Sequence, residues 1–134
     1  MGTLLRFIFS LLLLAVSLNA QASPKGQKTV YAFAYGTCFS DSVAYISAIA
    51  PLQGATLQRK TNFLEQRSEL AASFKTYLDN KWGKIHTTAI FFSTKKKDLE
   101  KKILELRKLA HKRHDLQLVE LGVNDFVLTL PTTE

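Results

Sequence analysis

HTTAIFFSTKKKDLEKKILELRKLAHKRHDLQLVEL, residues 86–121, changes its hydrophobic period twice, and its reading decides the fold. Its first eight residues centre on Ala89-Ile90-Phe91-Phe92. A continuously apolar run of that length predicts a strand in the interior of a sheet. From about residue 95 to 114 the period becomes helical, with Leu99, Ile103, Leu106 and Ala110 on one stripe and Leu109 widening it. Residues 116–121 return to a strand pattern. Strand, helix and strand in that order form a βαβ unit, whose connection crosses one face of the sheet.

Working outward from this unit, a first helix is expected upstream. Asn62 followed by Glu65 has the spacing of a capping box, in its Asn variant. Phe63, Leu70, Phe74, Tyr77 and Leu78 recur at helical spacing through about Asn80, and Gly83 suits the exit. Further upstream, residues 29–38 alternate as a strand, with Tyr31, Phe33 and Tyr35 on one face and Val30, Ala32, Ala34 and Gly36 on the other. A turn cluster at 39–42 leads to a second, antiparallel strand at 43–49. Residues 51–60 read as loop with room for a short edge strand. Downstream, 122–125 turn the chain and 126–130 are a candidate last strand before Pro131. The expected fold is α+β: a two-layer sandwich of order ββαβαβ(β), both helices packed on one face of a mixed sheet.

The chain has 134 residues, 18 Lys and Arg, 11 Asp and Glu, and one Cys. That length holds one domain, and a single Cys excludes a disulfide-stapled scaffold. Residues 1–22 read as a cleaved secretory signal: Arg6, an apolar run, then Ala20-Gln21-Ala22. The run from Leu4 to Leu18 is shorter than the ~20 residues of a spanning helix, so no stable membrane insertion is expected after cleavage. Residues 23–28 are a polar, flexible leader, and 29–134 are the domain. The expected location is therefore periplasmic or secreted.

The net charge is +7, and almost all of the excess lies between residues 95 and 114, where nine basic residues meet three acids. On a helix Lys97, Lys101, Lys108 and Lys112 share one stripe, opposite the apolar one. Charge runs on helices usually just face solvent, here laced by pairs such as Glu105 with Lys101 or Lys108. As a functional surface the stripe is a docking face for an anionic partner. Outside the inner membrane the candidates are an acidic envelope polysaccharide, lipid headgroups or an acidic envelope protein. Nucleic acid fits the charge but not the location.

Catalytic motifs are sparse. No G-x-S-x-G elbow and no phosphate-binding glycine loop occur. Cys38 and His86 are the only pair that proposes a nucleophile and base, and a small packing thiol at a strand end is the simpler reading of Cys38. His111 and His114 at a helix end favour the helix dipole before they favour zinc. No cofactor is expected. The functional expectation is a non-enzymatic binding module, with a small hydrolase or thiol enzyme using Cys38 and His86 as the alternative.

Two resemblances bear on this. Phe39-Ser40-Asp41-Ser42-Val43 with Tyr45-Ile46, Lys60-Thr61-Asn62-Phe63-Leu64 with Arg67, Phe91-Phe92-Ser93 with the 95–97 lysines, and Asn124-Asp125-Phe126 occur in this order. In these the chain resembles a group of short, exported, uncharacterised proteins of Bacteroidota. The resemblance implies an envelope or secreted protein and carries no activity with it. Cys38 departs from it, since Ser or another small residue is expected there. Ile90-Phe91-Phe92-Ser93, the Lys/Leu-rich helix and residues 116–121 also look like half of a sporulation-related repeat. That family implies peptidoglycan binding, but its other half is replaced here by a pair of strands.

Overall fold

The computed structural model describes residues 29–131. The expected signal at 1–22 and leader at 23–28 lie outside the described residues. The elements are β1 (Val30–Cys38), β2 (Val43–Ile46), β3 (Ala50–Leu52), α1 (Arg67–Trp82), β4 (His86–Ser93), α2 (Lys96–Lys112) and β5 (Gln117–Glu120). The fold is α+β, with two helices and a mixed five-stranded sheet, and its element order roughly matches the expected one, with a third strand ahead of α1.

β1 is the centre of the sheet. One of its edges pairs with β4 along the whole strand, from Tyr31 opposite Ser93 to Cys38 opposite His86. Its other edge is shared by β2 and β3, both antiparallel to it. β5 then adds to β2 in parallel, so β4 and β5 run the same way and α2 is the crossover between them.

β2 and β3 are one strand broken by a bulge. Tyr35 faces Ile46 and Ala32 faces Ala50, so the partner strand fits one extra residue into the gap. Ser47 repairs the ladder there. Its N–H donates to the Ala34 carbonyl at 3.0 Å, and its Oγ accepts from the Ala34 N–H at 2.8 Å. The side chain thus replaces the carbonyl that the bulge displaced. Ser47→Ala leaves the Ala34 N–H buried without a partner. The expected loss is about 1–3 kcal/mol in a urea melt, and Ser47→Thr, which keeps the hydroxyl, is expected to retain part of it.

The helices do not share a face, contrary to the sequence expectation. Leu70, Phe74 and Leu78 of α1 pack with Val30, Ala32, Ala34 and Ile90. Leu99 and Ile103 of α2 pack with Phe33 and Ile46, flanked by Tyr31, Tyr35, Phe91 and Leu118. Alternate residues of β1 point to opposite sides, so the sheet lies between the two helices and the protein has three layers. The reason is in β1 and β4, which are apolar on both faces and need cover on both. The same fact corrects the placement of β4. It pairs with β1 alone among the described residues and forms an edge, so its continuous apolar run reports two covered faces and not two paired edges.

Two local expectations also give way. The Asn62/Glu65 capping box does not form, and α1 begins at Arg67 behind Gln66, which is left-handed and makes no side-chain cap. Asn62 is itself left-handed, in a short loop closed by the Leu57–Leu64 bridge. Glu65 is held there by Thr56 through both its N–H and its carboxylate, and is unavailable as a cap. Leu64 is consequently the buried residue and Phe63 is exposed. Residues 126–130 form no strand. They run over α1, where Phe126 lies 5.0 Å from both the Phe74 and the Tyr77 ring and Leu128 is buried. At the other end of α1, Gly83 adopts φ 66° and donates to the Asp79 carbonyl at 2.8 Å, as a C-cap glycine does.

Candidate functional site

The stripe on α2 takes its orientation from the sheet. With Leu99 and Ile103 fixed against Phe33 and Ile46, the opposite side of the helix must face outward. Lys97, Lys101, Lys108 and Lys112 are all exposed there. From the first to the last the stripe spans about 22 Å at ~1.5 Å per residue. Leu109 is exposed as well, so it does not widen the apolar stripe.

Of the acids on α2, Glu100 is exposed three residues from Lys97, whereas Asp98 and Glu105 are engaged elsewhere. Glu105 reaches Lys102 at 3.7 Å, and so does not neutralise Lys101 or Lys108 as expected from the sequence. Asp98 accepts from the Ser93 hydroxyl at 3.0 Å at the helix start, where Ser93 also accepts the Lys95 N–H. Glu120 of β5 is gripped by Arg107 through Nε and a terminal nitrogen. That fork raises the Arg107 pKa further and ties α2 to the far edge strand. Among the described residues, none of the four stripe lysines makes an ion pair. They form a positive stripe, interrupted between Lys101 and Lys108 by the exposed Leu104 and Glu105 and flanked by the exposed Glu100 near Lys97.

A second constellation lies at one end of the sheet, on the α1 side. Cys38 and His86 are directly opposite in the β1–β4 register. His86 is 1% exposed and Cys38 5%. The short turn after α1 brings Asp79 onto His86. One carboxylate oxygen of Asp79 accepts the His86 backbone N–H at 2.8 Å and lies 3.0 Å from Nδ1. Nδ1 is also 2.9 Å from the Lys84 carbonyl. Both neighbours of Nδ1 are acceptors, so Nδ1 carries a proton, and Nε2 is buried without a hydrogen-bond partner. Lys75 pairs with the same carboxylate and, with the His86 bonds, holds it below the usual Asp range.

Around this pair, Cys38 Sγ shares a hydrogen bond with Ser40 Oγ at 3.1 Å. Asp41 pairs with Lys84 at 3.0 Å, which lowers the carboxyl pKa and raises the amine. The Tyr45 ring stacks on Trp82 at 5.5 Å and meets His86 edge-on at 5.7 Å, and burial raises its phenol pKa. Phe39, Trp82 and Ile85, next to these residues in the chain, are exposed apolar side chains.

Residue type alone singles out Cys38 and His86 in the sequence, and Asp79, at i,i+4 from Lys75, stands at no spacing that proposes general acid–base work. The usable signal was the three-residue turn at Gly83: it sets the last turn of a helix beside the first residue of a strand. His111 and His114 are exposed at the end of α2, and no group of three or more metal-ligating side chains converges among the described residues. No helix among them is long and apolar enough to cross a membrane. Compared with family models, curated proteins and solved structures, the chain matches none.

Proposed function

We propose that the protein is an exported, non-enzymatic docking module of the cell envelope that binds a linear acidic polysaccharide along α2. The observation that carries this reading is the absence of ion-pair partners for Lys97, Lys101, Lys108 and Lys112 among the described residues. Glu105, Asp98 and Glu120 are turned to Lys102, Ser93 and Arg107, which leaves Glu100 as the one exposed acid of α2 without such a partner among the described residues. A stripe about 22 Å long suits a polymer with repeated charge better than a point anion. A lipid surface is the weaker partner, because the apolar side of α2 is spent on covering the sheet. The signal pattern of residues 1–22 supports the envelope as the meeting place.

The test is binding of the mature protein to polygalacturonate, with neutral dextran as control, at low and high salt. Exposed pairs contribute up to ~1 kcal/mol each. Reversing all four lysines to Glu is therefore expected to weaken binding about a hundredfold, with the melting temperature little changed. High salt is expected to abolish binding of the parent, since screening acts within ~10 Å at 0.1 M. Equal binding by the fourfold variant, or binding indifferent to salt, would reduce the stripe to a solvated face.

A further inference from the structure

We infer that the free edge of β4 is a docking site for an extended acidic peptide of another protein, which adds to the sheet as a further strand alongside the start of α1. In an antiparallel strand the N–H and C=O of one residue point to the same edge, and successive residues alternate. In β1, Ala34 accepts from the Ser47 N–H and donates to the Ser47 Oγ, so residues 32, 34 and 36 face β2 and β3. Phe33 and Tyr35 therefore face β4 and form the hydrogen-bonded pairs with Phe91 and Ala89. Residues 86, 88, 90 and 92 of β4 point the other way, to the open side. The His86 N–H agrees with this phase: the Asp79 carboxylate accepts it at 2.8 Å from outside the sheet. That bond closes the edge at its first residue. Among the described residues nothing does the same for Thr88, Ile90 and Phe92, whose backbone N–H and C=O groups stay unpaired.

Exposed sheet edges are ordinarily blunted by shortness, charge, proline or a bulge. β4 has none of these: it is eight residues long, its register with β1 is unbroken, and it holds no Lys, Arg, Asp, Glu or Pro. Arg67, Ser68 and Ala71 of α1 stand beside Thr88, Ala89 and Ile90, with a groove of about 290 Å³ between helix and strand. A strand added to an open sheet edge is a recurrent mode of peptide recognition, in which the main chain supplies the affinity. Charge selects the occupant. Arg67 is exposed, lies 4.6 Å from the centre of the Phe63 ring and makes no ion pair among the described residues. Helical spacing puts Glu69 on the far side of α1 from the groove-lining residues 67, 68 and 71. On the α2 side Lys102 lies 5.4 Å from the centre of the Phe91 ring, with Glu105 at 3.7 Å. Asp98 is held at Ser93, past the last open amide. An added strand thus has a cation near each of its faces, which suits acidic side chains. A second copy of this chain is the poorer occupant. Pairing β4 with itself would set Arg67 and Lys102 of both copies along one seam, where like charges repel.

The probe is a short capped peptide of alternating glutamate and valine, with binding followed by fluorescence anisotropy and amide hydrogen exchange by NMR. In the free chain the N–H groups of Thr88, Ile90 and Phe92 are expected to exchange at least about tenfold faster than those of Thr87, Ala89 and Phe91. Saturating peptide is expected to remove that difference. Two N-methylated forms, one blocked at every glutamate and the other at every valine, isolate the backbone pairing. One is expected to bind like the unmodified peptide and the other at least about tenfold more weakly, because only alternate amides of an added strand face β4. The lysine–valine counterpart is expected to bind at least about tenfold more weakly, and Arg67→Glu to weaken the glutamate peptide severalfold with the melting temperature little changed. Equal binding by the two methylated forms, equal binding by the glutamate and lysine peptides, or no added protection at the three amides overturns the site. So does a chain that sediments as a dimer with those amides already protected, which would put a second copy on the edge. The fourfold lysine variant is expected to gain the same three protections, so failure here and failure of the α2 reading are separable.

Discussion

Phe33→Ala is expected to destabilise the protein by about 3–5 kcal/mol, the range for truncating a fully buried aromatic side chain. Phe33 is fully buried and stacks on Phe91 with ring centroids 5.0 Å apart. It belongs to the smaller of the two cores, which has only three other buried members: Ile46, Leu99 and Ile103. Two of those are the residues by which α2 grips the sheet. A void at Phe33 therefore removes the floor under the helix, and few neighbours are present to collapse into it. Domains of this kind have about 5–15 kcal/mol in total, so the loss is a large fraction of the whole. Urea denaturation followed by circular dichroism measures it, with Phe39→Ala as the exposed control, expected within ~0.5 kcal/mol of the parent. A Phe33→Ala midpoint close to that of the control would mean that α2 is held by something other than this core.

The same residue shows how far the sequence could be read. The alternation of Tyr31, Phe33 and Tyr35 against Val30, Ala32, Ala34 and Gly36 was plain, and each set is apolar. Two apolar faces on one strand call for two covers, and the structure supplies one helix to each. Period-2 alternation tells which residues share a face and is silent on which helix meets that face. The helices and strands themselves were legible because their apolar periods are long and clean. The bulge was not, because its only trace is Ser47, a residue that reads equally well as loop. The capping box failed for a related reason. Asn62 and Glu65 have the spacing, but Thr56, nine residues before Glu65, competes for the carboxylate. Contacts of that separation leave no local pattern.

The candidate site divides in the same way. The lysine stripe follows from helical spacing alone, and the structure adds where Glu105, Asp98 and Glu120 are turned. Asp79 could not be found by spacing, since its role comes from how sharply the chain turns after α1. Both surfaces depend on the three-layer arrangement. Each helix covers one side, and so the lysines and the Cys38–His86 pair are kept on opposite sides of the sheet.

Gly36→Val is the converse experiment on the α1 face, where the difficulty is too little room. A Cβ on Gly36 would overlap Cδ1 of Leu78 and come within 3.2 Å of Phe74 Cε2 and 3.3 Å of Thr88 Cγ2. Ala32 and Ala34 are the neighbouring small residues on this face, and together the three let α1 lie close to β1. Glycine inside a strand is itself unfavourable by roughly 0.5–1 kcal/mol relative to Ala, so any side chain there begins with a small gain. Overpacking a closed core costs about 1–3 kcal/mol, occasionally more, and Val adds two further methyl groups beyond the first clash. Leu78 and Phe74 are fully buried, so neither can swing into solvent to make space. The overlap therefore outweighs the strand preference, with a net loss of about 2–3 kcal/mol expected for Val and less for Ala. The diagnostic is the double variant with Leu78→Ala. Removing the obstructing side chain should make Gly36→Val less harmful by at least ~1 kcal/mol than in the parent, a coupling that distant sites do not show. Additive losses in that cycle, or a Gly36→Val protein as stable as the parent, would mean that α1 does not rest on β1 at Gly36.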